Sequence, residues 1–296
     1  MLKQRIITAL ILVPLVVYAT LNLSSEYFAL IYGFIILLAG WEWTKLIGLD
    51  SIVKKSLFIL GMVLIMFFIQ SWTVFLELIL QITNWDARPY SGSIEFLMIP
   101  PILWWILIMF LLRNAATDLL KLELKTKYKV MIGLFILTSG WMYLSRLRLL
   151  ESPEMTLYFL ILIWAADISA YFVGKKYGNE KLLPDISPGK TLAGFYGAIG
   201  SSVVCGVAFG VFYSAQLMIF GDMILLSLIT VLVSVYGDLF FSLVKRKAGL
   251  KDSGGILPGH GGILDRLDSI IAAAPFFYAG IWIIRWMVDS ALEVAQ

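Results

Sequence analysis

Apolar segments of about 20 residues follow one another along almost the whole chain. A segment of this length can cross a lipid bilayer as an α-helix, which needs about 20 residues. Hydrophobic residues make up 60% of the chain, whereas a soluble domain has about 45–50% apolar residues. Charged residues make up 15%, compared with about 25% in a soluble domain. So much apolar surface cannot all be buried in a water-soluble core. The sequence therefore predicts an all-α, polytopic integral membrane protein.

Nine segments meet, or nearly meet, the length of a membrane span. We predict spans at roughly 6–23, 27–47, 57–81, 95–112, 130–147, 155–174, 194–219, 222–244 and 268–289. With a cytoplasmic N-terminus, 19 of the 23 Lys and Arg residues fall on the inner side; the others are Arg88, Arg146, Arg148 and Arg285. Cytoplasmic loops are enriched in Lys and Arg. This distribution supports nine spans with the N-terminus in the cytoplasm.

The longest polar segments lie in the C-terminal half of the chain. They are the predicted inner loops 175–193 and 245–267, and each follows a helix that carries an aspartate in apolar surroundings. We therefore predict that residues 1–130 form a scaffold of packing and dimerisation helices. Residues 131–296 are predicted to form the catalytic region.

Two aspartates lie about two helical turns inside predicted spans, Asp167 in "LYFLILIWAADISAYFVG" and Asp238 in "LSLITVLVSVYGDLFFSLVK". An ionised carboxylate in the hydrocarbon region costs at least ~2.5–3.5 kcal/mol, so such residues usually face a cavity or a partner. The alternative is a packing role in which each aspartate pairs with a basic residue. Ser242 and Lys245 follow Asp238 at i+4 and i+7, which places all three on one helix face.

The segment "LKDSGGILPGHGGILDRLD" between the last two spans is rich in glycine and charge. Carboxylates such as Asp238 and Asp265 are ligands that Mg²⁺ prefers, together with phosphate oxygens. Glycines let backbone N–H groups approach a phosphate, and Asp265 is expected near the start of the last helix, where anions are favoured. Four cations are available to neutralise a polyanion: Lys245, Arg246, Lys251 and Arg266. The pattern predicts a phosphate-handling site with one or two magnesium ions.

Two further residues have weaker sequence signals. His260 is the single histidine of the chain, and three roles stay open for it: a structural loop residue, a phosphate donor or a proton-transfer group. Zinc is not expected, because the chain has neither a second histidine nor a second cysteine to bind it. Lys190 lies at the tip of a turn, "SPGKT", before a helix predicted to begin near Leu192. This turn lacks the glycine spacing of a nucleotide-hydrolysing P-loop.

Residues 242–268 read Ser-x-Val-Lys-Arg-x4-Lys-Asp-x-Gly-x2-Leu-Pro-x-His-Gly-Gly-Ile-x-Asp-Arg-Leu-Asp. This motif resembles the signature of the phosphatidate cytidylyltransferases, also called CDP-diacylglycerol synthases. The segments "MLKQRIITALILVP", "AGWEW", "WAADISAYFVGKKYG" and "LLPDISPGKTLAGF" resemble other parts of that family, so the resemblance covers the full length. One departure is Gly189, where the family more commonly has a second basic residue before the lysine.

The resemblance implies transfer of a cytidylyl group from CTP to phosphatidic acid, giving CDP-diacylglycerol and pyrophosphate, with Mg²⁺. It also implies that Asp238 and Asp265 bind the metal. We predict catalytic roles for Asp238, Asp265, Lys251 and Arg246. Substrate-binding roles are predicted for Asp167, Lys190, Ser242, Lys245, His260, Arg266 and Asp268.

The same resemblance implies a multi-pass protein of the inner (plasma) membrane with its active site facing the cytoplasm, where CTP is available. We expect membrane lipids as partners, no nucleic acid, and a homodimer. Two other functions stay open. One is a CTP-dependent lipid-alcohol kinase, which would use similar cavity chemistry on another acceptor. The other is a secondary transporter of an anionic solute, which paired broken helices in an inverted repeat would favour.

Overall fold

The computed structural model describes the backbone of residues 2–212, 217–256 and 261–294, and the side chains of 10–212, 219–256 and 261–290. Helices account for most of these residues. They are α1 (Leu2–Asn22), α2 (Ser25–Leu46), α3 (Ile52–Gln70), α4 (Trp72–Thr83), α5 (Ile99–Asn114), α6 (Ala116–Lys121), α7 (Thr126–Arg146), α8 (Pro153–Tyr177), α9 (Leu192–Phe212), α10 (Leu217–Lys247) and α11 (Leu264–Val294). A 3₁₀ segment, Arg88–Met98, leads into α5, and a π-helical segment, Leu147–Glu151, extends α7.

The predicted all-α, polytopic membrane architecture is confirmed. Within the described side chains, eight helical segments are long and apolar enough to cross a membrane. The first predicted span corresponds to α1, of which the described apolar part, Leu10–Asn22, is shorter than a span. The total of nine spans and the cytoplasmic N-terminus stay predictions.

Two predicted boundaries were wrong. The span predicted at 57–81 is divided at Ser71, where α3 ends and α4 begins. The link predicted at 220–222 lies inside α10, because α9 already ends at Phe212. A β-carbon on Gly206 or Gly210 of α9 would collide with α10, at Ile224 and at the ring of Phe220 respectively. This close packing against α9 supports a continuous α10 at residues 220–222.

The helices α10 and α11 form the centre of the molecule. In the most apolar stretch of α11, 72% of the residues are buried. In that of α3 only 17% are buried, so α3 lies at the periphery. A β-carbon on Gly237 of α10 would collide with Ala272 of α11, so the absence of a side chain lets these helices touch. The two central helices carry Asp238 and Asp265. The predicted division at residue 130 falls inside α7 and stays a prediction.

The loop after α8 contains a small antiparallel hairpin, which the sequence analysis did not predict. Its strands are β1 (Lys181–Leu183) and β2 (Ser187–Thr191), with Lys181 opposite Thr191. Between the strands, Ile186 is fully buried, and its carbonyl accepts a hydrogen bond of 3.2 Å from Nε of Arg246 on α10. The helix α9 begins directly after β2 at Leu192, as predicted. The hairpin therefore holds Lys190 against the helix bundle.

Candidate active site

A cavity of about 440 Å³ opens between α8, the hairpin, α9 and α10. Helix α8 contributes Asp167, the hairpin contributes Lys190, and α10 contributes Asp238. Residues far apart in sequence therefore surround one space. The other lining residues are Ala166, Ala170, Tyr171, Gly174, Lys175, Gly178, Lys181, Leu182, Gly189, Thr191, Gly194, Phe195, Ala198 and Val235. The cavity has acidic and basic groups on its wall and is large enough for part of a nucleotide or a lipid headgroup.

Close contact between α8 and α9 shapes the hairpin side of this cavity. A β-carbon on Gly194 of α9 would lie 2.7 Å from the carbonyl oxygen of Ala170 on α8. A β-carbon on Gly174 would lie 2.8 Å from Oγ1 of Thr191, which accepts a hydrogen bond from the backbone N–H of Gly194. Because these glycines leave room for Thr191, the adjacent Lys190 reaches the interior.

Asp238 forms an ion pair with Lys190 at the wall of the cavity. The Nζ of Lys190 lies 2.5 Å from Oδ2 of Asp238, and each side chain is 26% exposed. The hydroxyl of Ser242, one turn further along α10, donates a hydrogen bond of 3.3 Å to Oδ1 of Asp238. Burial disfavours the charged ammonium of Lys190, but the nearby carboxylates of Asp238, Asp167 and Asp268 together outweigh burial and raise the pKa of Lys190. The ammonium of Lys190 is therefore charged at neutral pH.

Asp265 lies in the first turn of α11 and has donors on both oxygens. Its Oδ1 accepts a hydrogen bond of 2.6 Å from Nζ of Lys245 on α10. Its Oδ2 accepts backbone N–H bonds from Ser253, at 2.9 Å, and from Gly262, at 3.0 Å. Gly261, with φ of +83°, makes the turn just before the helix in a conformation that favours glycine. The carboxylate thus joins α10, the loop and the start of α11.

Asp268 lies one turn after Asp265 on α11 and is 7% exposed. It interacts electrostatically with Asp238, with Asp167 and with Lys245. Lys245 also interacts electrostatically with Asp238. A single ammonium group therefore lies near three carboxylates, and the predicted acids and lysines form one charged network rather than separate pairs.

The remaining predicted residues lie around this network. Arg246 is exposed and holds the hairpin through the carbonyl of Ile186. Lys251 is exposed on the loop, and Arg266 is exposed at the start of α11 and interacts electrostatically with Asp167. His260 lies outside the described residues. The predicted catalytic and binding roles of all these residues stay predictions.

Sequence analysis missed two buried polar residues at this site, Glu42 and Ser253. Glu42 comes from α2, in the N-terminal half, and accepts hydrogen bonds of 2.9 Å from the hydroxyl of Ser253 and from the backbone N–H of Leu264. The signal was present in "ILLAGWEWTKL", where an acid lies inside an apolar segment.

The network has the donor set that magnesium requires. Within the described residues, no group of three His, Cys, Asp or Glu side chains could hold a metal ion by themselves, but Mg²⁺ typically takes one or two carboxylates and completes its shell with phosphate oxygens and water. Asp238 and Asp265 each hold a lysine ammonium at 2.5–2.6 Å. Each carboxylate therefore already directs an oxygen at a cation. The carboxylates present therefore fit magnesium in the chemistry of their donor atoms.

Comparison with known proteins gives matches that span the chain. A model of the cytidylyltransferase family matches residues 3–284. The phosphatidate cytidylyltransferase of Haemophilus influenzae is 34% identical over 293 residues, covering 94% of this chain and 97% of that protein. The enzyme of the same name from Pseudomonas aeruginosa is 34% identical over 287 residues, covering 97% and 99%. That of Bacillus subtilis is 47% identical over 141 residues, covering 46% and 51%.

Proposed function

This chain belongs to the cytidylyltransferase family, and from that premise we propose that it transfers a cytidylyl group from CTP to phosphatidic acid. The products are CDP-diacylglycerol and pyrophosphate. The single observation that carries the proposal is the charged network of Lys190, Asp238, Lys245 and Asp265 beside a cavity in a membrane protein. Such a network suits a reaction between two polyanions.

The reaction needs little proton chemistry from the protein. A phosphate oxygen of phosphatidic acid attacks the α-phosphorus of CTP, and the bond from that phosphorus to the oxygen bridging the β-phosphate breaks. Its electron pair leaves with pyrophosphate. Because the lipid phosphate is already anionic, no strong general base is required. The main contributions are positioning and stabilisation of negative charge, as in phosphoryl transfer generally.

The chain's own residues supply that positioning. Lys190 lies on the cavity wall, where it can contact a phosphate. Lys245 is held between carboxylates, and Arg246, Lys251 and Arg266 stand at the inner ends of α10 and α11. Magnesium held by Asp238 and Asp265 would supply charge neutralisation for the triphosphate. Asp167 and Asp268 would keep the cations oriented.

The orientation in the membrane follows from the charge distribution. The excess of Lys and Arg in the predicted inner loops favours a cytoplasmic hairpin and loop, so the active site would face the cytoplasm from the inner membrane. The acyl chains of phosphatidic acid would stay among membrane lipids while the headgroup enters between helices. We further propose nine spans and a homodimer, the latter from the family resemblance.

A reconstitution assay tests the proposal. Purified protein in phospholipid vesicles with CTP, phosphatidic acid and Mg²⁺ is expected to release pyrophosphate and form a CDP-lipid, identified by mass. Chelation of the metal should stop the reaction. A phosphorylated lipid alcohol together with CDP would instead show a kinase, and anionic solute uptake without CTP turnover would show a transporter. Either result would overturn the proposal.

A substitution at Gly189 tests whether one more positive charge in the cavity improves binding of CTP. Gly189 lies on the cavity wall beside Lys190, and a β-carbon added to it would meet nothing within 4 Å. We expect Gly189→Lys to fold normally and to lower the KM for CTP by about 3- to 10-fold, since one more charge-assisted contact contributes on the order of 1 kcal/mol. Steady-state kinetics measures this, with Gly189→Gln as the uncharged control. An unchanged KM would show that position 189 does not face a phosphate.

A further inference from the structure

The carboxylate of Glu42 is buried where α2 meets the loop between α10 and α11. The side chain is 3% exposed. Its Oε2 accepts both hydrogen bonds, one from the Ser253 hydroxyl and one from the Leu264 N–H. Its Oε1 is buried and has no hydrogen-bond partner among the residues that the structure describes. An acid this deeply buried is costly to keep, which indicates that the position has a function.

The two hydrogen bonds connect Glu42 to the predicted metal ligand Asp265. Ser253 is fully buried. Its hydroxyl donates a hydrogen bond to Glu42, and its backbone N–H donates one to Oδ2 of Asp265. Leu264 is the first residue of α11 and directly precedes Asp265. The residue before it, Ile263, has no side-chain oxygen to cap the helix, so Glu42 supplies a cap from another helix. Glu42 therefore constrains Asp265 from both sides.

Glu42 is itself held rigidly. The neighbouring Trp43 is 1% exposed, and its indole N–H donates a hydrogen bond of 3.2 Å to the carbonyl of Lys129 on α7. The Trp43 ring also packs edge-on against Phe241 of α10, with 6.0 Å between ring centroids. These contacts anchor α2 at the level of the carboxylate. The loop is thus fixed to the helix bundle through α2, and not only through its connections to α10 and α11.

Two glycines of the loop lie so close to Glu42 and Ser253 that a side chain would not fit there. A β-carbon on Gly254 would collide with Oε1 of Glu42. One on Gly262 would collide with the Ser253 hydroxyl and lie 2.5 Å from Oε2 of Glu42. Neither glycine has a positive φ among the described residues, so close approach to Glu42, and not backbone conformation, accounts for the missing side chain at both positions.

We propose that Glu42 is a positioning residue for the transferase site: from α2 it holds the loop and the start of α11 so that Asp265 presents Oδ1 toward a cation. This role rests on the proposed function, because it assigns Asp265 to magnesium. Glu42 is not among the residues that line the cavity. The N-terminal helices thereby take part in the active site, beyond packing and dimerisation.

The first test compares Glu42→Ala with Glu42→Gln. Since Oε2 alone accepts both hydrogen bonds, a glutamine carbonyl can replace it, whereas alanine cannot. We expect Glu42→Ala to raise the Mg²⁺ concentration for half-maximal activity about 10- to 100-fold, the usual effect of losing a residue that orients a metal ligand. Glu42→Gln should stay within about 3-fold of the wild type. Glu26→Ala, at the exposed start of α2, is the matched control.

A second measurement does not depend on catalysis. Hydrogen exchange followed by mass spectrometry reports on the backbone N–H groups of Ser253 and Leu264, which are bonded to Asp265 and Glu42. Exchange at both should accelerate in Glu42→Ala and remain slow in Glu42→Gln. If wild-type protein lacks transferase activity, the proposed function fails while this measurement still reports on the loop. Unchanged exchange in Glu42→Ala, or equal impairment by alanine and glutamine, would overturn the positioning role.

A double-mutant cycle tests the contact itself. Gly254→Ala should impair the wild type, because its methyl group meets the Glu42 carboxylate. In the Glu42→Ala background, the loss of activity caused by Gly254→Ala should be at least several-fold smaller, since the effects of substitutions at contacting residues are not additive. Strictly additive effects would contradict direct packing of the loop on Glu42.

Discussion

Asp238→Asn is expected to reduce transferase activity about 10²–10³-fold, the range seen when one charge-stabilising group is removed from an active site. Asp238 lies on the cavity wall, 2.5 Å from Lys190, and is a proposed ligand of magnesium. Asparagine keeps the size of the side chain and its acceptor oxygen but removes the negative charge. Pyrophosphate release from purified protein with CTP, phosphatidic acid and Mg²⁺ measures the effect.

Further variants test whether Asp238 is a metal ligand or only the partner of Lys190. Asp222→Asn is the matched control, since Asp222 lies near the other end of the same helix, about 24 Å away at about 1.5 Å per residue. The double variant Asp238→Asn, Lys190→Met restores charge balance and is compared with Lys190→Met alone. If Asp238 served only to neutralise Lys190, the two would be equally active, and the metal assignment would be wrong. We expect the double variant to be much less active than Lys190→Met.

Asp265→Asn is expected to lower both activity and stability. Activity should fall about 10²-fold, since a charge-stabilising group is again lost. Stability should fall by about 1–3 kcal/mol, because the buried Lys245 ammonium loses its hydrogen-bonded carboxylate and keeps only its electrostatic interactions with Asp238 and Asp268. Lys245 and Asp265 side chains are only 11% and 10% exposed, so water compensates little. Pyrophosphate release and thermal unfolding in detergent measure the two effects.

The two effects of this substitution can be separated. Adding Lys245→Met to Asp265→Asn removes the ammonium that has lost its hydrogen-bonded carboxylate, so the double variant should recover stability but not activity. Asp289→Asn, an exposed position at the other end of α11, should change neither property. Recovery of activity together with stability would indicate that Asp265 has only a structural role.

Residue composition and spacing were sufficient for the architecture and for the members of the charged network. Runs of about 20 apolar residues predict membrane helices, because the bilayer sets their length. The cost of burying a charge singled out Asp167 and Asp238. Helical periodicity then placed Ser242 on the face of Asp238, where the structure has it. These are local or compositional constraints, which a single sequence contains.

The partners of these residues were decided by the tertiary structure. Asp238 pairs with Lys190 of the hairpin, and Asp265 pairs with Lys245 of α10. The hairpin itself was not predicted. The contact between Glu42 and Ser253 joins positions 211 residues apart. Periodicity carries no information on which helix faces which. Such contacts arise from packing, through glycines that admit a neighbour and side chains that fill the space, and only the folded chain specifies them.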